Sequence, residues 1–171
     1  MLSKRTIITP VGKLFLTASD VAVTELLFEN HRAEVDGLEV TSFPVAESLF
    51  EITDSHVILD QVEAELLEYF ACKRQTFTVP LAPSGTDFQR DVWTELQKIS
   101  FGKTISYIEL ARRMGDEKKT RAVGLANGKN PISIFIPCHR VIGANGHLVG
   151  YGGGIENKRW LIDFEATDQL F

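Results

Sequence analysis

Cys138 and His139 stand side by side after a proline, in the segment Ile136-Pro-Cys-His-Arg-Val141. A thiol is a nucleophile as its thiolate, and an unperturbed cysteine, with a pKa near ~8.5, is mostly neutral at pH 7. It needs a base or a nearby positive charge. His139 is the natural base, and Arg140 adds positive potential. Neighbours in an extended chain point to opposite sides, so His139 could act through a water instead of by direct contact. An imidazole base also needs an orienting partner, usually a carboxylate, and spacing alone does not identify it. The other cysteine, Cys72, lacks such neighbours and is expected to be inert, while His31, His56 and His147 read as surface or loop histidines.

The elements around this pair are legible in part. Lys13–Ser19 and Val21–Glu29 carry β-branched and apolar residues and meet at Asp20, which predicts a hairpin. His31–Pro44 is polar and irregular and reads as loop, with room for another short strand. Ile58, Val62, Leu66, Tyr69 and Phe70 recur at helical spacing over Val57–Phe70, and a strand is expected near Thr76–Val79. The stretch 81–85, after Pro80, has proline and glycine without periodicity and reads as a linker. The expected organisation is α+β: a small N-terminal α/β domain over 1–80 and a mainly helical C-terminal domain over 86–171.

Beyond the linker, Thr86 with Gln89 and Ser106 with Glu109 form capping-box patterns that open helices. Gly115 can stop the second helix, and Thr120 can cap a third over Arg121–Asn127, which predicts a helix-turn-helix. Ala122, Gly124 and Ala126 are small and permit close approach of another surface, either a helix or a nucleic-acid groove. Lys118, Lys119, Arg121 and Lys129 at the helix ends favour the groove. Ile132–Ile136 reads as a buried strand or extended segment leading to Cys138. A glycine-rich stretch from Gly143 to Gly154 follows, with a turn at Asn145-Gly146, and a last helix carries Trp160, Leu161, Phe164 and Glu165.

The net charge of −5 by itself opposes a nucleic-acid partner, but it is unevenly spread. Residues 102–160 hold ten Lys/Arg against four Asp/Glu, a net of +6 on an otherwise acidic chain. The 171 residues include no apolar run near the ~20 residues of a membrane helix and open with no secretory signal, so a cytoplasmic protein is expected. Two cysteines cannot build a cysteine-rich zinc site, and residues 1–71 hold none, so no metal is expected.

Ile136-Pro-Cys-His-Arg-Val141 resembles the active-site signature of the O6-alkylguanine-DNA alkyltransferases. Phe101-Gly-Lys-Thr-Ile-Ser-Tyr107, Arg121-Ala-Val-Gly124, Asn130-Pro131, Tyr151-Gly-Gly153 and Trp160-Leu161 with Glu165 follow in the family's order and spacing. The resemblance covers Thr86 to Glu165. It implies single-turnover DNA repair: an alkyl group passes irreversibly from O6 of guanine, and also O4 of thymine, to Cys138. It implies a Cys138–water–His139–Glu165 relay, with Tyr107 over the flipped base as donor to guanine N3. Arg121 would fill the gap in the duplex, and Ala122, Gly124 and Ala126 would enter the minor groove, with Ser106 and Lys129 as further DNA contacts. Asn130 would brace the turn before the active-site segment. Pro137, Val141, Tyr151, Gly152 and Gly153 would line the alkyl pocket. No cofactor is implied, because the alkylated base is itself the activated donor. The expected partner is double-stranded DNA, bound by a monomer, with side-by-side loading left open. A binding protein without transfer would not need Cys138, and a cysteine hydrolase would not need the basic segment.

Overall fold

The computed structural model describes residues 1–30 and 56–167. The region around His31–Pro44, read above as loop, lies outside them. An antiparallel meander opens the chain: β1 (Ser3–Thr9), β2 (Gly12–Ala18) and β3 (Val23–Phe28), in that spatial order. The β2–β3 hairpin forms as expected around Ser19–Ala22, where the Ser19 hydroxyl donates to the Ala22 carbonyl at 3.2 Å. Strand β1 went unread because its burial alternates weakly: only Ile7 is fully enclosed. Helix α1 (Val57–Phe70) lays Ile58, Val62, Leu66 and Tyr69 into the core, the face its periodicity predicts. It stops where Cys72 turns left-handed at φ 58°, with the Lys73 amide donating to the Glu68 carbonyl at 2.8 Å. No strand forms at Thr76–Val79. That segment is held instead by buried Glu65, which accepts from the Thr78 amide at 2.9 Å.

Helix α2 (Asp87–Leu96) carries a complete capping box, Thr86 with Gln89. Helix α3 (Tyr107–Arg113) is capped by Ser106, which accepts from the Glu109 amide at 3.1 Å; Glu109 itself turns to Arg113. Helix α4 (Thr120–Gly128) follows a single 3-10 turn, Glu117–Lys119. Gly115, at φ 87°, supplies the left-handed stop between them. Thr120 is not the cap expected: it lies inside the helix and donates its hydroxyl to the Glu117 carbonyl. Two residue pairs, Ile105–Val141 and Ser106–Ile142, join β4 (Ile105–Ser106) to β5 (Val141–Ile142) in parallel. Helix α5 (Ile155–Thr167) closes the described chain.

One apolar core runs through both halves, from Leu14, Leu26 and Leu66 to Leu96, Leu110 and Val123. The edge of β3 is the seam. Its Leu26 amide donates to the Pro131 carbonyl and its carbonyl accepts from the Ser133 amide, both at 2.9 Å. Among the described residues, no helix is long and apolar enough to cross a membrane.

Candidate active site and nucleic-acid interface

The segment before Cys138 is a turn, not the strand or extended segment its composition suggested. Ile134 stands at φ 70°, a conformation that costs a β-branched residue about 1–2 kcal/mol. Asn130, 1% exposed, holds the turn shut. Its Oδ1 accepts from the Ile132 amide at 2.9 Å, and its Nδ2 donates to the Ile136 carbonyl at 2.7 Å. Sequence reasoning foresaw the brace but not its second use: the same Nδ2 donates to Cys138 Sγ at 3.1 Å.

Pro137 then starts a 3-10 turn, Cys138–Arg140, so Cys138 and His139 are not splayed as in an extended strand. His139 is 0% exposed, and its Nε2 meets Glu165 Oε1 at 2.7 Å. An ionised carboxylate only accepts, so Nε2 carries the proton and Nδ1 keeps its lone pair. Nδ1 is buried without a hydrogen-bond partner among the described residues. It is the one nitrogen of this ring free to take a proton.

Glu165 is an anion enforced by its surroundings. Burial opposes its charge, but His139 and Arg140 outweigh that and hold the carboxyl well below the usual range. Arg140 binds it with two nitrogens, Nε to Oε2 at 2.8 Å and Nη2 to Oε1 at 2.9 Å, and its Nη1 donates to the Ile99 carbonyl at 2.6 Å. Arg140 therefore clamps the carboxylate, whereas the sequence alone assigns its positive potential to the thiol. Burial also lowers the basicity of His139, against the pull of Glu165.

Cys138 is 5% exposed, and burial pushes its thiol up, with Asn130 and Lys158 pulling the other way. Lys158 was missed from sequence. It is 0% exposed, and its ammonium donates to the Val149 carbonyl at 3.1 Å and lies 3.5 Å from the Tyr107 hydroxyl. Burial depresses it to about 8, with Cys138 opposing. The available signal was spacing: Lys158, Leu161 and Glu165 fall at i, i+3 and i+7 on the buried face of α5. The hydroxyl of Tyr107, at the start of α3, donates to the Val149 carbonyl at 3.3 Å, and its ring lies 3.7 Å from the space beside Gly124.

The pocket residues divide. Val141 is enclosed in the core, and Pro137 faces a cavity on the side of Arg140 and Phe101. Gly153 lies so close to Phe28 that an added Cβ would come within 2.6 Å of its ring. Tyr151 packs edge-on against the same ring at 5.6 Å, and its hydroxyl is buried without a partner among the described residues. Gly152 is half-buried beside it. His147 is exposed as expected, whereas His56 caps α1 by accepting from the Leu59 amide at 3.3 Å. Cys72 is exposed.

Helix α4 presents Arg121, Ala122, Leu125, Gly128 and Lys129 to solvent. Among the described residues, Lys118, Lys119, Arg121 and Lys129 enter no ion pair, whereas Arg112 and Arg113 are engaged by Glu117 and Glu109. One expected contact is corrected: Ala126 is buried under α2, where its carbonyl accepts from the Trp93 indole at 2.8 Å. Gly124 is half-buried, with the Tyr107 ring at ordinary contact distance from the space beside it. Leu125 and Gly128 share the exposed face and went unread. Ser106 spends its hydroxyl on the α3 cap.

Residues 2–83 match the ribonuclease-like domain of 6-O-methylguanine DNA methyltransferase, and residues 87–167 match its DNA binding domain. The methylated-DNA–protein-cysteine methyltransferase of Mycobacterium tuberculosis is 44% identical over 167 residues, 98% of this chain and 94% of the relative. The constitutive enzyme of Bacillus subtilis is 39% identical, over 92% of this chain and 91% of the relative. The crystal structure of Mycobacterium tuberculosis OGT in complex with DNA superposes with a TM-score of 0.79 at 40% identity, covering 96% of this chain and 93% of that one.

Proposed function

The chain belongs to the 6-O-methylguanine DNA methyltransferases, DNA-repair proteins that take an alkyl group onto a cysteine of their own, and we propose that Cys138 is the acceptor. The observation that carries this is a buried thiol touched by the Asn130 amide and followed by an imidazole locked to a clamped carboxylate.

The thiol proton passes through a water to His139 Nδ1, and Glu165 holds the resulting imidazolium from the other side. Asn130 and Lys158 favour the thiolate, each by placing a donor or a positive charge towards sulfur. The thiolate attacks the alkyl carbon in line; the S–C bond forms as the C–O6 bond breaks. Guanine leaves with the bonding pair, and Tyr107 donates a hydrogen bond to N3 to spread that charge. For this, Tyr107 exchanges its bond to the Val149 carbonyl. A thioether offers no easy reverse path, so each molecule acts once, and no cofactor enters the balance.

A sulfur this enclosed cannot reach a base inside the duplex, so the nucleotide must be turned out, at a cost of about a few kcal/mol. The exposed face of α4 suits a minor groove: Ala122 and Gly128 let the backbone approach, Lys129 and Lys118 reach phosphates, and Arg121 fills the vacated stack. The protein acts as a monomer in the cytoplasm. O4-alkylthymine, with the same oxygen placement, is a second substrate.

Peptide mass spectrometry after mixing with a duplex holding one O6-methylguanine tests the assignment. One methyl on the peptide containing Cys138, at a yield of one per protein, is expected. Methyl transfer that persists in Cys138→Ser, landing on Cys72, refutes it.

A further inference from the structure

Glu165 is gripped by four residues, and one of them comes from the N-terminal half. Its Oε1 receives His139 Nε2 at 2.7 Å, the Tyr69 hydroxyl at 2.8 Å and Arg140 Nη2 at 2.9 Å. Its Oε2 receives Arg140 Nε at 2.8 Å and the Gly102 amide at 3.2 Å. Tyr69 comes from α1, 96 residues away in sequence, and is 0% exposed. Its ring packs on Phe70, Phe77, Phe101 and Phe164, contacts that a phenylalanine would make as well. The hydroxyl is what a phenylalanine would lack, and it is aimed at the oxygen that orients the base.

We propose that Tyr69 is a positioning residue for alkyl transfer: its hydroxyl fixes Glu165 Oε1 towards His139 and tempers the basicity of that oxygen. The inference rests on the Cys138–His139–Glu165 relay proposed above. Burial and the Glu165 charge push the phenol far up, so it keeps its proton and donates throughout the working pH range. When His139 takes the thiol proton, Glu165 must steady the imidazolium without accepting the proton itself. Each donor on Oε1 withdraws charge from it and lowers its appetite for that proton. Without the Tyr69 hydroxyl, Oε1 is less fixed and offers more charge to His139. The imidazole becomes more basic and less well aimed, so its neutral form appears only at higher pH.

The test is the single-turnover transfer rate of the full chain across about pH 5 to 8, on an O6-methylguanine duplex and on free O6-benzylguanine. Tyr69→Phe is expected to slow both by about tenfold, the scale of a hydrogen bond to a charged group. Duplex affinity should be unchanged, and the midpoint of the rising limb should move to higher pH. A site-specific 3-fluorotyrosine at position 69 keeps every ring contact and donates more strongly, so it should move that midpoint to lower pH even if Tyr69→Phe folds poorly. Wild-type rates and midpoints in both variants would leave Tyr69 as core packing and overturn the inference. A wild-type profile that is flat from pH 5 to 7 would remove the relay itself, and the inference with it.

Discussion

Asn130 is where removal of one side chain should be felt both in folding and in chemistry. In Asn130→Ala, the Ile132 amide and the Ile136 carbonyl lose their partners in a place 1% exposed. Each orphaned group costs about 1–3 kcal/mol, so a loss of about 2–5 kcal/mol is expected, partly offset where water enters. A domain with about 5–15 kcal/mol of stability survives that. The thiolate also loses its donor at 3.1 Å, which raises the Cys138 pKa and slows transfer by about ten- to a hundredfold near pH 7. Asn130→Asp is the sharper case. It keeps the acceptor for Ile132 but turns a carboxylate oxygen towards both the Ile136 carbonyl and sulfur. At ~3 Å and an effective dielectric near ~20, the carboxylate–thiolate repulsion approaches about 5 kcal/mol. The new acid therefore takes up a proton, and its pKa rises above the unfolded value near ~3.9. A group raised on folding contributes stability that is full below its unfolded pKa and is lost as pH rises through the folded one. Relative to wild type, Asn130→Asp should be more stable to urea at pH 5 than at pH 8. It should also transfer more slowly than Asn130→Ala at pH 8. Rapid-quench single-turnover assays and urea melts at both pH values check this. Transfer by Asn130→Asp within about threefold of wild type at pH 8 would refute the claim that Asn130 supports the thiolate.

Lys158 is a cation depressed by burial to about 8, so its charge opposes folding at neutral pH, and stability is gained as pH rises through that value. Lys158→Met should raise the thermal midpoint at pH 7, by the equivalent of about 2 kcal/mol, and lose that advantage near pH 10, while transfer slows at pH 7; calorimetry and quench assays read both. Arg121→Ala should slow repair of duplex O6-methylguanine well beyond its effect on free O6-benzylguanine, and equal losses on both would count against a role for Arg121 in the duplex. Gly153→Ala forces a methyl against the Phe28 ring, at 2.6 Å before relaxation, and should cost about 1–3 kcal/mol in urea melts. Adding Phe28→Ala should recover part of that loss; a strictly additive double mutant would deny the contact.

What the sequence disclosed was local. Helix α1 announced itself by apolar spacing, Thr86 and Gln89 by their cap, and Asn145-Gly146 by its turn, in which Gly146 takes φ 76°. Each depends on residues within a few positions. The misreadings share a cause. Ile132–Ile136 has the composition of a strand, but Asn130 and the β3 edge fold it into a turn from outside the segment. Ala126 is buried against α2, whose Trp93 lies 33 residues earlier, so composition could not separate packing from a groove contact. Arg140 beside a thiol looked like an activator of it; only the position of Glu165, 25 residues on, shows where its charge is used. Tyr69 could not be distinguished from a core aromatic, because its apolar face does obey the helical period and its hydroxyl partner is 96 residues away.

The proposed nucleophile, base and orienting carboxylate all come from residues 138–165, yet their positions depend on the first 70. The β3 edge pairs with Ile132 and so sets the turn that Asn130 closes around Cys138. Phe28 of that strand limits the loop at Gly153, and Asn157 at the start of α5 donates to the Val11 carbonyl at 3.1 Å. Tyr69 reaches the carboxylate itself. Helix α4, by contrast, is seated on α2 and α3, through Trp93 and Tyr107. Damage to the N-terminal half should therefore separate the two tasks of the protein: the α4 face keeps its support and its affinity for duplex, while the sulfur, the imidazole and the carboxylate lose their common frame.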